Sequence, residues 1–259
     1  MSRDARWKAL LELLVERGRL DVEQAAGELG VSAATIRRDF DALAEQQMLV
    51  RTRGGAVAHG VSYELPLRYK TARQASEKLR IAAAVAGLVA PGEAVGLTGG
   101  TTTTEVARAL AVRGDLAAGP PPLTVVTNAL NIANELAVRP QFKIVVTGGV
   151  ARAQSYELVG PLAEGVLDRI ALDVAVLGVV ALDVVHGAAA HDEAEAAINR
   201  RLCERAARVI VAADSSKLGR RAFARICDTG TLHTLVTDTA VDEDTVRRFE
   251  DAGVRVMAV

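Results

Sequence analysis

The stretch ATIRRDFDALAEQQMLVRTRGGAV, Ala34 to Val57, sets two adjacent arginines on an apolar-periodic segment and two more around a diglycine. Ile36, Phe40 and Leu43 recur at spacings of four and three, which places them on one face of a helix and leaves Arg37, Arg38 and Asp41 on the others. Ser32 stands where an N-cap would accept from the first turn. Upstream, Val22, Ala25, Ala26 and Leu29 repeat the same spacing, with Asp21 and Gln24 offering a capping box and Gly30 a stop. Before that, Trp7, Leu10, Leu11, Leu14 and Val15 make a first helical stripe closed by Gly18. Downstream, LVRTRGGAV is two short extended runs about Gly54-Gly55, the pattern of a small β-hairpin.

Helix, tight turn, second helix and hairpin make up a winged helix-turn-helix. A recognition helix needs small residues and donors at its N-terminal end to enter the major groove, where arginine matches guanine O6 and N7. Ser32, Ala33 and Ala34 permit close approach, Thr35 and Arg37 are candidates for base edges, and Arg38 for a base or a phosphate. Arg51 and Arg53, with Gly54 and Gly55 at the tip, are candidates for the DNA backbone. The competing reading is a helical bundle with solvated arginines; the ordered set of capped helix, LGVS, ATIRRDFDAL and RTRGGA argues against it.

The net charge of −1 over 259 residues carries no argument for nucleic acid, so the case rests on the motif. The length suits a small module beside a larger one, and half the residues are hydrophobic while only 3% are aromatic, so Ala, Val and Leu fill the cores. Cys203 and Cys227 show no disulfide or metal-ligand spacing and read as free thiols of a reducing compartment. The charged N-terminal run does not read as a signal peptide, and the most apolar window, 171–190, contains Asp173, Asp183 and His186, against a membrane span. The expectation is a cytoplasmic protein without cofactor or metal.

Beyond 59–76, a stretch with Pro66 and no periodicity that reads as a linker, helix-like and strand-like segments alternate: EKLRIAAAVAGLV, AVGLT, TTEVARALAV, LTVVT, ALNIANELAV, KIVVT, then LDVAVLGVV, EAEAAINRRLCERA, RVIVAA and TLVT. Nearly continuous apolar strands between helices predict a mostly parallel α/β sheet covered on both faces; AAGPPPL at 117–123 reads as a loop. VGLTGGTTTTEVARAL places Thr98, Gly99, Gly100, Thr101, Thr102 and Thr103 between a strand and a helix, an anion site in outline. No Lys follows the glycines, so it is not a P-loop. The same carboxyl edge should carry Asn128, Gly148 with Gly149, and Asp214 with Lys217, one of only five lysines. Glu195, opening a helix, stands to stabilise that helix end or to accept from a ligand hydroxyl. Asn128 as a helix cap and Asp214 as a loop-ordering residue are equally open.

VSAATIRRDFDAL followed by LVRTRGGA resembles the DNA-binding module of the DeoR-type bacterial transcription regulators over about Ser2 to Ala58. The segments from about Glu77 onward resemble the effector domain of the same family, similar in fold to ribose-5-phosphate isomerase. The resemblance implies three segments: a winged helix-turn-helix at 1–58, a linker at 59–76 and an effector-sensing α/β domain at 77–259. It also implies a repressor rather than an enzyme, partnered by double-stranded operator DNA and a phosphorylated sugar or related metabolite, acting as a homo-oligomer. Gly100 to Thr103 would hold the phosphate, and Glu195 and Lys217 stand where members keep a carboxylate and a lysine. Two departures stand out: Thr98 where many members have Asp, and Val180-Ala181 where they have a polar or glycine pair. A sugar-phosphate isomerase with an added N-terminal bundle, and a DNA binder that senses nothing, are the alternatives.

Overall fold

The computed structural model of the chain describes residues 1–45, 48–57, 74–117 and 121–259. It divides into two compact units, Met1–Lys70 and Thr71–Val259. The expected linker at 59–76 lies almost wholly outside the described residues, as do Ala58 and 118–120 of the 117–123 loop; Ala75 and Ser76 already belong to a helix.

In the first unit, α1 (Arg3–Arg17) is capped by Ser2 and stopped by a left-handed Gly18. Next come β1 (Arg19–Asp21), α2 (Val22–Leu29) and α3 (Ala33–Glu45). The wing is β2 (Val50–Thr52) and β3 (Gly55–Val57). Trp7, Leu10, Leu11 and Leu14 of α1 pack with Leu20, Ile36, Phe40 and Leu43 in one core, so the helical stripes of the sequence are buried stripes; the side chain of Val15 lies outside the described set. Two local expectations change. Asp21 caps α2 through Glu23 N (2.9 Å), while Gln24 turns to Glu28 instead of closing a capping box, because both groups find nearer partners. The wing is not a free hairpin: β1 pairs antiparallel with β3, giving a three-stranded sheet of order β1–β3–β2.

The second unit begins with α4 (Ala75–Gly87), β4 (Ala94–Leu97) and α5 (Thr101–Ala111), then β5 (Leu123–Thr127), α6 (Leu130–Ala137) and β6 (Phe142–Val146). A short ribbon, β7 (Val150–Ala151) with β8 (Leu158–Val159), precedes α7 (Pro161–Leu167) and β9 (Leu172–Leu177). β10 (Ala181–Asp183), β11 (Gly187–Ala190), α8 (Glu193–Glu204), β12 (Ala206–Ala212) and β13 (Ala224–Cys227) follow. β14 (Thr234–Thr237), α9 (Glu243–Asp251) and β15 (Arg255–Ala258) complete the unit.

Seven strands form one parallel sheet of order β15–β14–β12–β9–β4–β5–β6. Strand alternation feeds both faces: Ile210 and Ala212 join the core under α4, α5 and α6, while Val209 and Val211 join the core on the opposite side. The expected single strand LDVAVLGVV breaks at Gly178, after which β10, β11 and β13 form a small antiparallel sheet that the α/β alternation did not foretell. Val180 donates its N–H to Ala189 O (3.1 Å), and Ala181 is buried in β10. From β4 the chain fills one side of the sheet with β5 and β6 and then crosses to the other with β9, so the order reverses at β4/β9. Open α/β sheets bind ligands at such a crevice, beyond the carboxyl ends of the strands.

Candidate functional site

On the first unit, Gly30 in the left-handed region closes α2, and Ser32 Oγ accepts from Thr35 N (3.2 Å) to open α3, so only three residues separate the helices. The Thr35 hydroxyl lies 2.9 Å from that of Ser32. Ala34, Arg37 and Arg38 are exposed along α3, while Ala33 and Thr35 are half-buried. Arg37 holds Glu23 at 3.0 Å in an exposed pair, and Arg38 Nε donates to Ala34 O (3.3 Å). Such pairs are weak in water, so both guanidiniums can exchange them for a DNA acceptor.

The wing residues divide differently from expectation. Arg53 and Gly54 are exposed at the tip, where Gly54 takes a left-handed φ of 95° and its carbonyl accepts from Val22 N (2.9 Å). Arg51, expected on the DNA backbone, instead donates to Asp41 Oδ1 (2.8 Å) and Gly55 O (2.8 Å), with its guanidinium 5.6 Å from the centre of the Phe40 ring. Gly55, expected at the DNA, is buried: a Cβ there would meet Leu20 O at 2.3 Å, so glycine is what lets β3 lie against β1. Asp39, between the two roles of α3, went unread in the sequence. It is buried, takes a bidentate bond from the Arg6 guanidinium and a 2.8 Å bond from Trp7 Nε1, and so fastens α3 to α1. That hydrogen-bonded carboxylate raises the Arg6 guanidinium above its ordinary value.

On the second unit the Gly-rich corner follows β4 directly. Thr98 is fully buried, and its hydroxyl accepts from Gly178 N (2.9 Å), tying the ends of β4 and β9 together. Gly100 opens α5 with φ 130°, a conformation that favours glycine. The hydroxyls of Thr103 and Thr104 turn back and donate to Gly100 O (3.1 and 2.6 Å). The first N–H groups of α5, at Thr101 to Thr103, have no intrahelical acceptors, as at any helix start.

Asn128, fully buried after β5, donates from Nδ2 to Glu157 Oε2 (2.8 Å) and does not cap α6. Glu157 is itself buried and packs on Gly99, where a Cβ would fall 2.4 Å from its side chain. No sequence motif marked Glu157; it reaches the corner only through the β5 and β8 segments, which meet at the bridge between Ala129 and Glu157. The structure thus brings Thr98, Gly99, Gly100 and Asn128 together and adds Glu157.

Gly148 is exposed at φ 72°, a turn residue; the close approach belongs to Gly149, whose Cβ would meet Val159 O at 2.7 Å. Glu195 is buried and accepts from Arg152 NH1 (2.9 Å), while Arg152 Nε donates to Asp192 Oδ2 (3.1 Å); after Asp39 and Glu157, Arg152 is the third residue the sequence did not mark. Lys217 lies in a short 3-10 turn after β12, its N–H donating to Asp214 O (3.0 Å). That turn is anchored by Asp238, which accepts from Ser215 N (2.7 Å), Ser215 Oγ (2.9 Å) and Ala240 N (3.0 Å). Burial pushes the Asp238 carboxyl up, but these donors outweigh it and hold it below the ordinary carboxylate range. Among the described residues no group of three His, Cys, Asp or Glu side chains is arranged to hold a metal ion, and no helix is long and apolar enough to cross a membrane.

The DeoR-like helix-turn-helix domain matches residues 6–60, and the DeoR C terminal sensor domain matches 73–239. The HTH-type transcriptional regulator GlpR of Haloferax volcanii is 35% identical over 97% of this chain and 96% of its own. The glycerol-3-phosphate regulon repressor of Escherichia coli (strain K12) is 31% identical over 92% of each chain. Among solved structures, ribose 5-phosphate isomerase A from Methanocaldococcus jannaschii aligns at 18% identity over 56% of this chain and 55% of its own, with a TM-score of 0.42. The two domain matches cover both structural units, and full-length relatives in that family are transcriptional regulators: the chain belongs to the DeoR family of DNA-binding transcription regulators.

Proposed function

We propose that this regulator grips operator DNA with the N-terminal half of α3 and the tip of the wing, and lets go when a phosphorylated sugar or polyol occupies the carboxyl edge of β4. The observation that carries the sensing half is the Gly99-Gly100 corner opening straight into α5 at the point where the sheet order reverses. The regulon named for one relative is that of a phosphorylated polyol, which agrees with this chemistry. Residues 1–58 would be the DNA-binding domain and 77–259 the sensor. Ser32, Ala34, Thr35, Arg37, Arg38 and Arg53 would face DNA; Gly99 to Thr103, Asn128 and Lys217 would surround the ligand. A ligand shifts such a switch only by binding the DNA-free state more tightly. One winged module offers little interface, so a homo-oligomer reading repeated half-sites follows.

Thr101→Pro tests that corner. Proline is tolerated at the first position of a helix and removes one N–H without strain. The variant should keep its melting temperature and its DNA affinity while losing response to phosphorylated sugars. In the parent protein a ligand at about a hundred times its Kd should add roughly 2.7 kcal/mol of apparent stability. Equal stabilisation of parent and variant across a sugar-phosphate panel would remove this corner from the site; no stabilisation of the parent at all would favour a DNA binder that senses nothing.

A further inference from the structure

We propose that Glu157 sets the ligand specificity of the sensor. Its buried carboxylate admits a phosphorylated ligand that offers a hydrogen-bond donor beside the phosphate and turns away one that offers a second anion. This rests on the reading that the corner at Gly99 to Thr103 holds the phosphate. The side chain is 5% exposed and packed on the α-carbon of Gly99, an approach that only glycine allows, since a Cβ there would lie 2.4 Å from both Cγ and Oε1. Its position is fixed from several sides. Asn128 Nδ2 holds Oε2 at 2.8 Å, and Leu158 N donates to Asn128 O at 2.6 Å. The preceding Tyr156 is held at φ 61°, left-handed for a non-glycine residue, by bonds from its N–H to Arg152 O (2.8 Å) and from Leu130 N to its carbonyl (3.0 Å). These bonds fix the backbone that carries Glu157.

The neighbouring groups point the same way. Asn128 Oδ1 is buried with no hydrogen-bond partner, an acceptor that lacks a donor. Thr98, the other polar side chain at the end of β4, is neutral and accepts from Gly178 N, so the negative charge at this corner comes from Glu157. A phosphate at the start of α5 beside that carboxylate brings two anions together. A hydroxyl on the ligand relieves the contact by donating; a ligand carboxylate makes it a third charge.

Glycerol 3-phosphate and 3-phosphoglycerate form a matched pair, differing only by a hydroxymethyl group in place of a carboxylate. Calorimetric titration of the full chain should show glycerol 3-phosphate binding at least about tenfold more tightly than 3-phosphoglycerate. In Glu157→Gln the amide oxygen still accepts from Asn128, so the fold survives, and the ratio should collapse toward one, mainly by gain of 3-phosphoglycerate. Inorganic phosphate should bind Glu157→Gln at least as tightly as the parent, since one of two neighbouring anions is gone. Glu157→Asp keeps the charge and should keep the discrimination. If phosphate binds but the ratio is the same in Glu157→Gln as in the parent, or if Glu157→Asp loses discrimination as fully as Glu157→Gln, the role given to Glu157 is overturned while the phosphate site stands. If neither phosphate nor either ester binds the parent protein, both the site and the inference fall.

Discussion

Asp39→Asn tests how the recognition helix is held. In the parent fold the carboxylate receives the Arg6 fork through Nε and NH2, the latter at 3.1 Å, and Trp7 Nε1 at 2.8 Å. The amide is isosteric, so no cavity forms and the Trp7 bond can persist; what is lost is the negative charge facing Arg6. Breaking a buried pair by removing one partner costs about 3–5 kcal/mol. The Arg6 side chain retains 13% exposure, so its guanidinium can turn partly to water, which brings the expected loss to about 2–3 kcal/mol. For a unit of this size that is a fall in Tm of roughly 10–20 °C. The chain has a single tryptophan, and it is Trp7, so indole fluorescence in urea follows this unit alone. Arg6→Met in the Asp39→Asn background should recover part of that loss, because no charge is then stranded while the Trp7 bond is kept. A urea midpoint for Asp39→Asn that matches the parent's would show that the α1–α3 network is not what holds the helix.

Two further outcomes follow from the geometry. Arg37→Ala gives up only an exposed pair with Glu23, so the fold should be intact while operator affinity drops by about 1–3 kcal/mol; Arg53→Ala should instead weaken operator and scrambled duplex alike and reduce the salt slope by about one. Gel shifts on both duplexes at two salt concentrations separate them, and unchanged operator binding by Arg37→Ala would displace α3 as the reading helix. Asp238, whose carboxyl is held below its ordinary value, contributes stability above the unfolded carboxylate pKa of about 4 that is lost as pH falls through the lower folded value. Asp238→Asn should therefore be less stable at neutral pH and show a shallower acid limb, and superimposable pH profiles would contradict the anchoring role given to this side chain.

What the sequence made legible was what lies close along the chain. The apolar spacing of Ile36, Phe40 and Leu43 announced a buried stripe, and the glycine pair after β4 announced a strand-to-helix corner, because both signals are written within one or two helical turns. Asp39 was hidden for the opposite reason: its partners are 32 and 33 residues away on α1, and an acidic residue following two arginines looks like one more surface charge. Glu157 reaches Asn128 across 29 residues and Gly99 through packing alone. Nothing in SYELVG forecasts that. The β10–β11–β13 sheet was missed because VAVLGVVAL, between Asp173 and Asp183, is an unbroken apolar run but for Gly178, where a Cβ would lie 2.8 Å from Gly99 O and the strand ends.

The wing residues carry the same lesson into mechanism. Arg51 bridges Asp41 on α3 to Gly55 O on β3 and lies over the buried Phe40 ring, while Gly55 presses β3 onto Leu20. Both are structural ties, and they make the wing and α3 one piece: neither can turn without breaking the two hydrogen bonds of Arg51. Arg51→Lys would keep the charge but not the planar fork that reaches two acceptors at once. Arg53 is exposed at the tip of that wing, and Arg51 ties the wing to the same helix that presents Arg37 and Arg38.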